Sequence, residues 1–188
     1  MKTEPKLYII SGPSGAGKST LCKKLLEQYP NIIFSVSYTT RKPRSFETEG
    51  KNYFFINQEE FVLGIKKNRW LEWAKVHDNY YGTCANFVKS LLDKKNNILF
   101  DIDTQGAEQI IRTYSDAVTI FIMPPSGAEL ENRLKKRKTD NIKIIKKRLG
   151  NAVKEIEKKN MYSYVIINDN LDKAFEKLCA IINKKKKV

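Results

Sequence analysis

Residues 12–19 read Gly12-Pro13-Ser14-Gly15-Ala16-Gly17-Lys18-Ser19. The spacing is G-x-x-x-x-G-K-[ST], the pattern of a backbone loop that cradles phosphate. Glycines at 12, 15 and 17 permit positive φ and let successive N–H groups close on an anion. Lys18 is spaced to reach the β/γ-phosphates of a nucleoside triphosphate, and the Ser19 hydroxyl suits Mg²⁺. A chance glycine turn would share part of this pattern, so the flanks decide. Lys6 to Ile10 is a short apolar run, as a buried parallel strand would be. From Thr20 to Gln28, Leu21, Leu25 and Leu26 share one helical face. Strand, loop and helix follow in the order the phosphate-binding pattern requires.

Four further clusters carry chemical groups. Ser37-Tyr38-Thr39-Thr40-Arg41-Lys42-Pro43-Arg44 matches neither a helix nor a strand pattern. It is either an exposed basic loop or a phosphate site, with two arginine forks three residues apart and hydroxyls beside them. Glu72 lies between two tryptophans, Trp70 and Trp73. It is either a solvent-facing carboxylate on a half-buried strand or an acceptor for a base edge such as guanine N1–H and N2–H₂. Tyr81 and Thr83 either donate to a phosphate or pack. Asp101 ends an apolar run, the usual place for an acid on the metal side of a phosphate loop, and Asp101 and Asp103 would otherwise make a turn and helix cap. The single His77 reads as structural, because phosphoryl transfer between nucleotides needs positioning and charge rather than a histidine.

The elements that must position these groups follow in order. Strands are expected over 31–37, 50–57, 70–76, 97–101, 117–123 and 164–167, with Asn79 to Thr83 a turn leaving another. Helices are expected over 58–67, 87–94, from Gln105-Gly106, from the capping-box pair Ser126 and Glu129, and over 171–183. Residues 133–148 hold nine Lys or Arg against one acid, Asp140. That is a solvated basic helix pair, or a lid whose Arg133, Arg137 and Arg148 neutralise a triphosphate.

With 188 residues and 41% hydrophobic composition, the chain suits one compact domain with small inserts. No apolar run approaches the ~20 residues of a membrane span. The first strand starts almost at once, which leaves no room for a secretory leader. Cys22, Cys84 and Cys179 are odd in number and lack metal-ligand spacing, so cytoplasmic thiols are expected. The net charge of +14 attracts polyanions, nucleotide phosphates included. A lysine-rich compositional bias is the bland alternative, and the run Lys184 to Lys187 reads as a solvated tail.

Together the phosphate loop, Ser37-x-Thr39-Thr40-Arg41-x-Pro43-Arg44, Gly50-Lys51-x-Tyr53, Glu72-Trp73, Asn79-Tyr80-Tyr81-Gly82, Asp101-Ile102-Asp103-x-Gln105-Gly106 and Pro124-Pro125-Ser126 resemble the guanylate kinase family over nearly the whole chain. The resemblance implies an α/β P-loop nucleoside-monophosphate kinase fold: a parallel five-stranded core, residues 1–36 and 85–188, with a helical lid at about 133–150 and a small β-rich GMP-binding insert, residues 37–84. It implies transfer of the γ-phosphoryl group of MgATP to GMP or dGMP, with ATP as donor and Mg²⁺ as cofactor. Gly12, Pro13, Ser14, Gly15, Ala16, Gly17, Lys18, Ser19 and Thr20 would hold ATP, with Arg137 and Asn168. Arg41, Arg44, Tyr53 and Tyr81 would hold the GMP phosphate. Ser37, Glu72, Thr83 and Asp103 would read guanine, with Gly82 beside them. Lys18, Arg41, Arg137 and Arg148 would stabilise the transferring group, and Ser19 and Asp101 would serve Mg²⁺, partly through water. Small-molecule nucleotides are the implied partners, without nucleic acid or membrane, for a monomer or small homo-oligomer.

Two positions and one short stretch depart from the family pattern. Tyr38 replaces a small residue, Thr83 replaces serine, and Arg137-Lys138-Thr139-Asp140 replaces a lid stretch with glycine and glutamate. Three other readings compete. A kinase for another monophosphate would leave Glu72 and Asp103 poorly paired. A non-catalytic protein-binding module of this kind would have an eroded phosphate loop. A nucleic-acid binder rests on charge alone, without a motif.

Overall fold

The computed structural model describes residues 4–76, 78–136 and 142–184. The readings at His77, Arg137 and the lysines from 185 onward lie outside the described residues. The elements are β1 (Leu7–Ser11), α1 (Lys18–Gln28), β2 (Ile32–Phe34), β3 (Tyr38–Thr39), β4 (Phe54–Phe55), α2 (Gln58–Lys66), β5 (Trp70–Val76) and β6 (Asn79–Cys84). They continue with α3 (Ala85–Asp93), β7 (Asn97–Asp101), α4 (Thr104–Thr113), β8 (Val118–Met123), α5 (Gly127–Lys136), α6 (Ile142–Glu157), β9 (Tyr164–Ile167) and α7 (Leu171–Ile182).

Five strands form a parallel sheet in the order β2-β7-β1-β8-β9. Its apolar runs are continuous rather than alternating because a parallel sheet is covered on both faces. Leu7, Tyr8, Ile9 and Ile10 are all buried, as are Ile98, Leu99 and Phe100 in β7 and Ile120, Phe121 and Ile122 in β8. The chain divides into two compact units, Met1–Ile9 with Asn31–Val118 and Ile10–Pro30 with Thr119–Val188.

The first unit contains a second sheet, of mixed direction, ordered β4-β3-β6-β5. β5 and β6 pair antiparallel, with Glu72 opposite Thr83 and Trp73 opposite Gly82. Aromatic rings fill its interior. Phe61 stacks on Trp70 at 4.4 Å and on Tyr80 at 5.2 Å, and the Trp70 indole donates to the Phe61 carbonyl at 3.1 Å. Tyr38, the unusual residue, stacks on Phe54 at 4.7 Å. The second unit packs Leu130 and Leu134 of α5 against Ile145 and Ala152 of α6. Asn170 caps α7 by accepting from Asp172 N and Lys173 N at 3.0 Å each. The expected Ser126 cap on Glu129 N is present at 3.1 Å.

Several sequence boundaries need correction. Tyr38 and Thr39 are a strand, central in the small sheet, where the sequence showed no pattern. Two residues are too few for a period of two to show. Of residues 50–57, only Phe54 and Phe55 are in a strand, because Gly50 takes φ +71° and the chain turns there. The strand expected over 31–37 shortens to Ile32–Phe34, and Asn79 to Thr83 belongs to β6 itself.

Candidate active site

In the second unit the loop leaves the carboxyl end of β1. Gly12, Gly15 and Gly17 have φ of +141°, +97° and +97°, values that disfavour any side chain. A Cβ on Gly12 would strike the Ile122 carbonyl, and one on Gly17 would strike the Asn168 amide. The loop closes through Ala16 N donating to the Pro13 carbonyl at 3.0 Å. Helix α1 then begins at Lys18 with Gly17 as its cap, no side-chain cap and no acid in its first turn. The positive dipole end of the helix favours an anion there. Lys18 folds back so that Nζ donates to the Gly12 carbonyl at 2.6 Å, which holds the ammonium over the loop. Ser19 and Thr20 are exposed on the first turn of α1, and Ser14 lies 3.4 Å from Arg148 Nη1.

Asn168, at the end of β9, is buried and donates its amide to the Ala16 carbonyl at 2.7 Å. Its own carbonyl accepts from Arg133 Nη2 at 3.0 Å, while Arg133 Nε bonds Glu129 at 2.8 Å. Arg133, expected as a lid arginine, thus braces the turn that supports the loop. A pairing 35 residues apart leaves no local signal in the sequence.

In the first unit, Glu72 is 3% exposed, so the solvent-facing alternative is wrong. The strand turns this residue toward helix α4 instead of outward. The Thr83 hydroxyl donates to Glu72 Oε1 at 2.6 Å. Burial raises the Glu72 pKa, the Thr83 bond opposes, and the Asp103 charge adds to the rise, giving about 7. Asp103 caps α4, accepting from Gly106 N at 2.9 Å and from Gln105 Nε2 at 3.0 Å. Both readings of Asp103 are compatible, because each carboxylate oxygen has a second lone pair. Glu72 Oε2 lies over Gly106, where a Cβ would collide with it. Ser37 is buried beside β3, and its carbonyl accepts from Phe54 N at 2.9 Å. Gly82 is buried because Phe61 Cζ and the Glu72 carbonyl leave no room for a side chain.

Arg41, Arg44, Tyr53 and Tyr81 gather in the same unit. Arg41 Nε donates to Tyr81 Oη at 3.3 Å, and the guanidinium lies 5.5 Å from the centre of the Tyr53 ring. Tyr53 and Tyr81 meet edge to face at 5.9 Å. Burial, then the charges of Asp101 and Tyr81, push the Tyr53 phenol well above its ordinary value, so it stays a donor. Glu47, absent from the expected site, binds both arginines. Its position three residues after Arg44 and six after Arg41 was the available signal. Asp101 is half-buried at the end of β7.

A family model for guanylate kinase matches residues 4–185. A guanylate kinase of Caldanaerobacter subterraneus subsp. tengcongensis is 48% identical over 182 residues, covering 97% of this chain and 88% of the relative. One of Wolbachia pipientis is 46% identical over 187 residues, covering 99% and 93%. The crystal structure of guanylate kinase from Anaplasma phagocytophilum superposes with a TM-score of 0.81 at 34% identity, covering 96% of this chain and 86% of that one. The glycine-lined loop, the buried Glu72–Thr83 pair and these end-to-end matches agree: the chain belongs to the guanylate kinase family.

Proposed function

We infer that this chain phosphorylates GMP with ATP, giving ADP and GDP, and that the residues gathered above divide that work. It is a P-loop nucleotide kinase, a transferase, and the family assignment carries the activity. The observation that carries the choice of base is Glu72, a buried carboxylate fixed by the Thr83 hydroxyl. Guanine offers two adjacent donors, N1–H and N2–H₂, to such a group. Adenine offers an acceptor at N1 and no N2 amine, so it leaves the carboxylate unpaired and buried, which is strongly penalised. Asp103, Thr83 and Ser37 complete the base-reading set.

On the donor side, the loop from Gly12 to Thr20 holds the ATP phosphates, and Asn168 keeps that loop in place. On the acceptor side, Arg41, Arg44, Tyr53 and Tyr81 hold the GMP phosphate. An oxygen of that phosphate attacks the γ-phosphorus as the bond to the β,γ-bridging oxygen breaks, and ADP leaves. Lys18, Arg41, Arg148 and Arg137 offset the charge that spreads over the transferring group. No general base is required, because the acceptor phosphate is already ionised. The residues suit Mg²⁺: a hydroxyl at Ser19 and a carboxylate at Asp101 are hard oxygen donors of the kind that hold this ion when substrate phosphates and water fill the remaining positions. Mg²⁺ held by such donors would offset the negative charge of the phosphate oxygens.

No helix among the described residues is long and apolar enough to cross a membrane. Cys22, Cys84 and Cys179 are free thiols, which supports placing the enzyme in the reducing cytoplasm. The test is ADP production from MgATP with GMP, AMP, UMP and CMP supplied in turn. Turnover with GMP alone is expected. Turnover with another monophosphate would overturn the Glu72 reading, and none with any would overturn the enzymatic one.

A further inference from the structure

The Arg41 guanidinium is almost fully committed within the protein. Nη1 donates to Glu47 Oε2 at 2.9 Å and to the Lys42 carbonyl at 2.7 Å. Nη2 donates to Glu47 Oε1 at 2.8 Å, and Nε donates to Tyr81 Oη at 3.3 Å. A guanidinium has five N–H hydrogens, so one, on Nη2, is left over. Glu47 Oε2 also accepts the backbone N–H of Arg44 at 2.8 Å, and Arg44 Nη1 lies 3.8 Å from Oε1. The Glu47 side chain is only 4% exposed. An acid in a basic loop would ordinarily be solvated, yet this one is enclosed by the two arginines expected to hold a phosphate.

By Coulomb's law alone, Glu47 should weaken phosphate binding, since it adds a negative charge beside a phosphate dianion. Its geometry argues the other way. A free arginine side chain loses rotamer entropy when fixed. A bidentate carboxylate fixes it beforehand, with its plane set and one Nη2 N–H left for a ligand. The Nε–H donated to Tyr81 Oη has a second consequence. The tyrosine oxygen accepts there, so its own hydrogen points elsewhere and is free to donate. Burial opposes the Glu47 charge, but the Arg41 bonds and the Arg44 N–H outweigh it and hold the carboxyl below its ordinary range.

We propose that Glu47 is a positioning residue for GMP: it locks the Arg41 fork and the Arg44 backbone into the orientation that receives the nucleotide's phosphate. The proposal rests on the reading of Arg41 and Arg44 as phosphate holders. It assigns Glu47 no contact with GMP.

The test is a double-mutant cycle read by calorimetric binding of GMP to the full chain, with Glu47→Gln, Arg41→Met and the two combined. Glu47→Gln is expected to raise the GMP Kd at least tenfold, and to have a much smaller effect once Arg41 is methionine, when only the Arg44 contact is left to lose. Unchanged or tighter binding in Glu47→Gln would overturn the proposal, because the carboxylate would then be a mere competitor for the arginines. Equal weakening in both backgrounds would overturn it too, since Glu47 would act through something other than Arg41. Wild-type affinity in Arg41→Met alone would instead sink the underlying phosphate-site reading, a result distinct from the other two. Should Glu47→Gln fail to fold, Glu47→Asp replaces it in the cycle. One methylene shorter, it cannot engage both arginines, so it too must weaken GMP binding through Arg41; wild-type affinity there would refute the proposal.

Discussion

Replacing Glu72 with glutamine tests both the fold and the base reading. The folded carboxyl titrates at about 7 against an ordinary value of 4.5, chiefly because it is buried. A folded value above the unfolded one means that proton binding favours the folded chain. That stabilisation is complete below pH 4.5 and is lost as pH rises through 7. Above pH 7 the fold therefore carries an ionised buried carboxylate, at a cost of about 3 kcal/mol relative to the unfolded chain. Glutamine does not titrate. In urea unfolding at pH 5, 6, 7 and 8, the variant's stability relative to wild type should climb by about 2.5 kcal/mol across that range. The other titrating groups are common to both proteins and cancel in the difference. A difference that stays flat with pH would refute the claim that Glu72 titrates in a buried site.

The same variant isolates guanine recognition. The amide replaces one acceptor by a donor, which then faces a donor on the base. Two hydrogen bonds to a charged group are worth about 1.5–3 kcal/mol each, so kcat/KM for GMP should fall by about 10²–10⁴-fold. The KM for ATP should stay within about twofold of wild type, because the donor loop belongs to the other unit. A fall in GMP kcat/KM of less than fivefold would refute base reading by Glu72.

Three further outcomes are expected. Gly106→Ala should lower GMP kcat/KM by about 10–100-fold with ATP binding unchanged, because a Cβ would collide with Glu72 Oε2 and lie 3.0 Å from its Cδ; wild-type GMP kinetics would contradict this geometry. Lys18→Ala should lower kcat by about 10²–10³-fold with an unaltered circular dichroism spectrum, since its bonds reach only carbonyls of its own loop; near-wild-type turnover would contradict the loop assignment. Lowering pH from 8 to 6 protonates Glu72 and turns it into a donor suited to adenine N1, so the GMP-over-AMP preference in kcat/KM should shrink by about tenfold; a ratio independent of pH would exclude Glu72 as the discriminating group.

The phosphate loop was readable because every requirement it makes is local. Positive φ at three positions, a lysine and a hydroxyl at fixed offsets and a helix start all fall within eight residues. The sheet strands were readable for a similar reason, since burial on both faces forces continuous apolar runs at β1, β7 and β8. What escaped was set by distant partners. The strand order depends on backbone pairing between segments far apart in sequence. Glu72 is buried because α4 packs on β5, and nothing within the strand pattern of Trp70 to Val76 encodes that. Tyr38 and Thr39 form a strand only because β4 and β6 lie on either side of them.

The charged residues show where spacing alone misleads. Arg41, Arg44 and Glu47 lie within seven positions, and a run of basic residues drew attention to the arginines rather than to the acid between the two functions it serves. A carboxylate beside phosphate-binding arginines looks unfavourable when charges are summed. It becomes sensible when hydrogen-bond donors are counted, because an arginine with four of its five N–H groups engaged has little orientational freedom left to lose. Glu72 follows the same logic in reverse. It is left with spare lone pairs and a raised pKa, and a ligand with two donors relieves both. One carboxylate is satisfied before the nucleotide arrives and the other is satisfied by it. On this account Glu47 organises the phosphate end of GMP, and Glu72 chooses the base.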